Sequence, residues 1–231
     1  MSVTYTQEGA VALVTMDDGK ANALTHEVLS ELRGALDRAE EEATAVVITG
    51  REGRFSAGFD LGVMTSGEEP MRALVIDGAR FLARLFTYPL PVVTACNGHA
   101  LAAGALVLLA SDHRIAAAGS FKIGLNEVAI GMPLPQFAVE LARYRMPPSQ
   151  LDSALLGQVF DPDRAAAAGY VDRVVDPGAL ATEALSTAGQ LAQLRKGAVE
   201  RTKQAARGAI AQEILDTVEA DMATMGGPTP G

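Results

Sequence analysis

Asn97-Gly98-His99-Ala100-Leu101-Ala102-Ala103-Gly104-Ala105 directly follows a continuously apolar pentapeptide, Val92–Cys96. The pentapeptide reads as a strand buried on both faces, the mark of a parallel sheet. The small-residue run behind it reads as a turn entering a helix that begins near Ala102. A strand passing through a glycine turn into a helix is the repeating step of an α/β domain. The first-turn amides of such a helix lack internal partners and carry the positive end of its dipole, so they can hold an anion, including a transient one. Read alone, the run is equally a helix that packs closely through small side chains.

The same step recurs upstream. Ala45–Thr49 is a second buried strand, and it leads into Gly53-Arg54-Phe55-Ser56-Ala57-Gly58-Phe59-Asp60-Leu61, a loop whose small residues let backbone approach a ligand. Before it, Val11–Met16 alternates loosely after Gln7-Glu8-Gly9 and predicts an opening hairpin. Thr25 can cap a helix that runs to about Glu42, with Val28, Leu29, Leu32, Leu36 and Ala39 as its apolar stripe. Met71–Thr87 reads as a second helix, stopped by Pro89 and Pro91.

Downstream, His113–Ala117 reads as a strand and Phe121–Ile123 as a shorter one. From Pro135 onward three or four helices are expected, with Lys196–Ala223 the longest. The division is an α/β core over 1–177, a helical C-terminal extension over 178–225, and a disordered tail over 226–231.

Composition narrows the partners. A net charge of -9 argues against nucleic acid, whose phosphates demand a basic face. The longest apolar run, Ala100–Ala110, falls short of the roughly 20 residues of a membrane helix. The start Met1-Ser2-Val3-Thr4-Tyr5 does not resemble a signal peptide. One cysteine, Cys96, permits neither an internal disulfide nor a metal cluster, and a cytoplasmic location fits. Cys96 itself reads as a small core residue.

A third stretch, Ile123-Gly124-Leu125-Asn126-Glu127-Val128-Ala129-Ile130-Gly131-Met132-Pro133, sets a single carboxylate in an apolar run. Desolvation there would raise its pKa and suit Glu127 to general-base work. A salt-bridged or exposed Glu at a helix start gives the same pattern.

Taken together, in this order and at these separations, the three stretches resemble the crotonase (enoyl-CoA hydratase/isomerase) superfamily. Supporting matches are Lys20-Ala21-Asn22-Ala23-Leu24, Tyr88–Val93, Ser111-Asp112-His113-Arg114 and Ala165–Asp172. The resemblance implies a spiral of ββα units and a helical C-terminal trimerisation region, in a homotrimer or hexamer. It implies that the main-chain N–H groups of Phe59 and Ala103 grip a thioester oxygen while Glu127 moves a proton. The substrate is then an acyl-CoA, with CoA part of that substrate and no further cofactor or metal. CoA contacts fall on Lys20, Ala23, Leu24, Arg54, Ser56, Gly58, Asp60 and Leu61. The acyl chain then runs toward the second helix, where Leu74, Phe81 and Leu85 are candidates, though the three are equally plain core.

One departure bears on activity. Hydratases of the family use two glutamates, and the position of the other holds Leu106 here. Gly124-Leu125-Asn126-Glu127 resembles the single-glutamate Δ3,Δ2-enoyl-CoA isomerases. Isomerisation is therefore the expected reaction, with an atypical hydratase and a non-catalytic acyl-CoA-binding protein as alternatives. Asp77 and Glu140 are other acids to place, and His99 reads as a packed or rim histidine.

Overall fold

The computed structural model describes residues 1–225, so the expected tail over 226–231 lies outside the described residues. Strand β1 (Val3–Glu8) turns at Gly9 into β2 (Val11–Met16), and the two pair antiparallel as the predicted hairpin. After the two-residue strand β3 (Ala23–Leu24), Thr25 caps α1 (His26–Glu42) by accepting the Val28 N–H at 3.1 Å. All five residues of the anticipated stripe are buried, joined by Ala35.

Each following turn of the chain then gives one strand to each of two sheets. Strand β4 (Ala45–Thr49) is followed by β5 (Gly53–Ser56) and the short β6 (Gly58–Phe59). Asp60 caps a one-turn helix, α2 (Leu61–Met64), which leads to α3 (Glu68–Phe86). The next turn is β7 (Val92–Cys96), β8 (Gly98–Leu101) and α4 (Ala103–Ala110). A third begins with β9 (His113–Ala117) and β10 (Ile123–Gly124), followed by a 3-10 turn at Val128–Ile130. The chain continues through α5 (Gln136–Arg145), α6 (Pro148–Leu155), α7 (Pro162–Ala168) and β11 (Arg173–Val175), then α8 (Leu180–Leu191) and α9 (Lys196–Thr224).

The main sheet has the order β1-β2-β4-β7-β9-β11, parallel except for the hairpin. The second sheet is β10-β8-β5, all parallel, and a two-strand ladder joins β3 to β6. This is the spiral of ββα units that the resemblance implied. One core cluster fills the space between the sheets, α1, α3 and α4; a second lies where Leu180, Ala184 and Ala188 of α8 cover Val47, Val93 and Ile115 of the main sheet.

Four expectations are corrected. Helix α3 starts three residues before Met71, because Glu68 and Glu69 suit a helix N-terminus and Pro70 is tolerated in a first turn. The short strand holds Ile123 and Gly124 rather than Phe121–Ile123, since the Lys122 N–H goes to the His99 ring at 3.0 Å instead of a ladder. Five α-helices, not three or four, follow Pro135 among the described residues. Between them lies a strand, β11, whose pairing with β9 is a contact distant in sequence.

Helix α9 is anchored by a buried charge cluster. Asp112 accepts the Val92 N–H at 2.8 Å, Lys203 Nζ at 2.8 Å and Arg207 Nη1 at 2.6 Å. No helix among the described residues is long and apolar enough to cross a membrane.

Candidate active site

The three stretches singled out in the sequence meet at the start of α4. Gly58 has φ +91, and a Cβ there would lie 2.8 Å from Ala102 Cβ and 3.0 Å from Ala103 N. Only a glycine lets β6 lie this close to the α4 entry. Ala102 itself has φ 50 and ψ -126, a sparsely populated conformation, and its N–H donates to Gly124 O at 3.0 Å. That bond ties the helix start to β10, three residues before Glu127.

Two amides beside this junction are left over by the backbone hydrogen bonding. The Asp60 N–H donates to Leu24 O at 3.2 Å, so strand alternation turns the Phe59 N–H away from β3. Ala103 is the first residue of α4, and its N–H has no acceptor within the helix; internal bonding begins with Ala105 and Leu106, both donating to Ala102 O.

Beside them lies a cleft of about 600 Å³, lined by Lys20, Ala23, Phe59, Asp60, Leu61 and Glu127, among others. A narrow chamber of about 30 Å³ adjoins it, sharing Phe59, Met64, Glu127 and Met132. Leu106, Met71, Val75, Phe137 and Met222 close that chamber. Another cavity, of about 450 Å³, lies between His113 and the Leu191–Lys203 segment and contains none of the three stretches.

Glu127 is half-buried as a residue, but its Oε2 is fully buried and makes no hydrogen bond. Burial pushes the carboxyl up to about 7, with its own N–H pulling slightly the other way. Leu106 is buried in the same chamber, so hydrocarbon lies beside the carboxyl there. Asn126 Oδ1 is also buried without a partner. Tyr170 Oη accepts the Leu125 N–H at 3.1 Å and fixes the strand exit ahead of Glu127.

Not every residue expected at the site lines the cleft. Leu24, Ser56, Gly58 and Ala103 are buried and are not among its lining residues. The Ser56 hydroxyl donates to Asn22 O at 2.7 Å and accepts the Gly58 N–H at 3.2 Å, a loop-fixing task. Arg54 is exposed on β5, donates to Gly53 O and is absent from the lining. Leu74, Phe81 and Leu85 are core; the residues of α3 that reach the chamber are Met71 and Val75. Asp77 pairs with His26 and Arg33, and Glu140 with Arg143, so neither serves the cleft. His99 sits on the exposed side of β8 against Phe121, its pKa lowered by burial and by Arg54 and Lys122. Burial pushes the Cys96 thiol up to about 12, which removes it as a nucleophile.

Two residues shape the cleft without having been assigned a role from sequence. Asp18 accepts the Lys20 and Asn22 N–H groups at 2.7 and 2.9 Å; burial opposes its charge, yet these bonds hold its pKa below the usual range. Asn22, with φ 54, directs Nδ2 to Met16 O and Arg54 O at 2.9 Å each and to Phe55 O at 3.2 Å. The only signal in sequence was a turn-forming Asp-Gly-Lys-Ala-Asn run.

Residues 6–227 match the enoyl-CoA hydratase/isomerase family. The chain belongs to that family. Human mitochondrial enoyl-CoA delta isomerase 1 is 32% identical over 218 residues, covering 92% of this chain and 72% of the relative. A short-chain-enoyl-CoA hydratase of Clostridium acetobutylicum is 32% identical over 211 residues, covering 88% and 80%. The solved structure of an enoyl-CoA hydratase/isomerase family protein from Pseudomonas syringae superposes with a TM-score of 0.95 at 39% identity, covering 97% of this chain and 98% of that one. Relatives of this enoyl-CoA hydratase/isomerase family member thus carry both reaction names, and the crotonase resemblance stands.

Proposed function

We propose that this enzyme shifts the double bond of a 3-enoyl-CoA to give the 2-enoyl-CoA. One observation carries the reading: Glu127, whose Oε2 is buried without a hydrogen bond, shares its narrow chamber with Leu106, and no second acid among the described residues lines that chamber. A 1,3-proton shift needs only one base. Glu127 takes a proton from C2, and the C–H electrons form a C1–C2 double bond while the thioester carbonyl becomes an enolate oxygen. The N–H groups of Phe59 and Ala103 receive that charge, each worth about 3 kcal/mol on the scale of known oxyanion donors. Returning the proton from the Glu127 carboxylic acid to C4 leaves the double bond between C2 and C3. Atoms and charge balance without another reactant.

Lys20, Ala23, Asp60 and Leu61 are the lining residues proposed to meet the CoA portion, with no redox cofactor or metal. A homotrimer or hexamer, carried by the resemblance, and a cytoplasmic site of action, carried by the single cysteine, complete the proposal. The test is turnover of a 3-enoyl-CoA, read as conjugated-thioester absorbance. Glu127→Ala should abolish it, and undiminished turnover would remove the assignment.

Asn126 favours one second reading. Its buried, unpartnered Oδ1 stands beside Glu127 and could orient a water for hydration of a 2-enoyl-CoA. Formation of 3-hydroxyacyl-CoA faster than isomerisation would select it. Tight binding with no conversion of either substrate would instead mark a non-catalytic acyl-CoA binder.

A further inference from the structure

Gly78 lies in the interior of α3, where glycine is a poor helix former. Its presence has a counterpart across the site. A Cβ built on Gly78 would lie 2.2 Å from Phe59 Cε1 and 2.3 Å from Cζ, far inside any contact real atoms make. The missing side chain is therefore a notch in α3, filled by the edge of the Phe59 ring. Met71, Val75 and Gly78 are spaced four and three residues apart, one face of the helix, and the first two line the chamber.

The ring has other neighbours too. Phe59 borders both the large cleft and the chamber, so its angle sets the width of the passage between them. Its backbone cannot retreat, because Leu24 pairs with Phe59 in the β3–β6 ladder and Asp60 is bonded to Leu24 O. A side chain at position 78 would thus be relieved only by rotating the ring off α3 and into the passage.

We propose that Gly78 is a specificity-determining positioning residue: its notch holds the Phe59 ring back and keeps open the way by which an acyl chain reaches the methionine-lined chamber. The proposal rests on the reading of the cleft as an acyl-CoA site. Acyl groups that end at the thioester should be indifferent to the notch, whereas longer ones should depend on it.

The experiment compares calorimetric binding of acetyl-CoA and hexanoyl-CoA, both saturated, so that no turnover is required. Gly78→Ala should weaken hexanoyl-CoA at least tenfold while acetyl-CoA stays within threefold. The double variant Phe59→Ala/Gly78→Ala should bring hexanoyl-CoA back to within threefold of Phe59→Ala alone. Equal losses for both ligands in folded Gly78→Ala, or a loss that persists in the double variant, would overturn the proposal. Should Gly78→Ala fail to fold, Phe59→Trp overfills the same notch and must bind hexanoyl-CoA at least tenfold more weakly than Phe59→Leu, which leaves the notch unfilled, the absence of that difference counting against us. Native protein that binds neither ligand would overturn the acyl-CoA reading and this proposal with it; native binding without the split overturns this proposal alone.

Discussion

The Glu127 carboxyl and the Leu106 side chain line the same narrow chamber, and Glu127 Oε2 has no hydrogen-bond partner there. Hydrocarbon beside a carboxylate both withholds solvent and withholds a counter-charge. Desolvation is the largest cause of the raised pKa for this reason, and it sets the first expectation.

A base must be ionised to act. With its pKa pushed up to about 7, Glu127 is largely protonated at pH 6 and ionised at pH 8. The kcat/KM for a 3-enoyl-CoA should therefore climb through an apparent pKa near 7 and level off above it. A profile already flat from pH 5 upward would show that another group holds the base role.

The same shift has a thermodynamic face. The carboxyl pKa is raised from 4.5 to about 7 on folding, so the native state binds more protons across that window. Its contribution to stability is fully present below pH 4.5 and is lost as pH rises through 7. Glu127→Gln, neutral at every pH, should exceed the native protein in stability at pH 8 by up to about 3 kcal/mol, since one pKa unit corresponds to about 1.4 kcal/mol. The gap should shrink toward zero near pH 4.5. Urea unfolding at both ends of the range measures it, and a difference independent of pH would contradict the burial argument.

Much of this site was legible in the sequence because its parts are local. Ala45–Thr49, Val92–Cys96 and His113–Ala117 are apolar runs of strand length, and the structure keeps each boundary. Glu127 is the one charged residue of its stretch of chain, and it is likewise the one charged residue among those lining the narrow chamber. What was hidden depends on contacts between distant segments. Nothing local marks Arg173–Val175 as a strand, because only its pairing with β9 makes it one. The sequence left Leu74, Phe81 and Leu85 open between acyl path and core, because an apolar stripe does not say which of its members faces a void; Met71 and Val75 are the ones that line the chamber. Met222 reaches it from the far end of the chain.

Asn22 exemplifies a residue whose importance appears only in three dimensions. Its Nδ2 lies against three carbonyls from two segments, and its φ of 54 is one that asparagine tolerates better than alanine. Asn22→Ala leaves buried acceptors unpaired, at about 1–3 kcal/mol, and adds backbone strain. Chemical denaturation should register a loss in or above that range. Because this residue holds the β5–β6 loop that carries Phe59, turnover should fall at temperatures where the variant is still folded.

Asp112 bears on the long C-terminal helix. It receives Lys203 and Arg207 from α9 and the Val92 N–H from the main sheet, all in a largely buried setting. Burial already lowers the Lys203 pKa, even with Asp112 beside it. Removing the carboxylate strands two cations in low dielectric, which costs about 3–5 kcal/mol. Asp112→Ala should lose stability on that order, whereas Lys203→Met, which removes a charge and keeps the apolar stem, should lose much less. Equal losses from the two variants would mean that packing of the α9 stem, rather than charge compensation, secures the helix. Arg207 supplies the internal control: it also donates to Phe86 O at 2.9 Å, so Asp112→Ala combined with Arg207→Met should recover part of the deficit, and no recovery at all would argue that the cluster holds α9 through geometry alone.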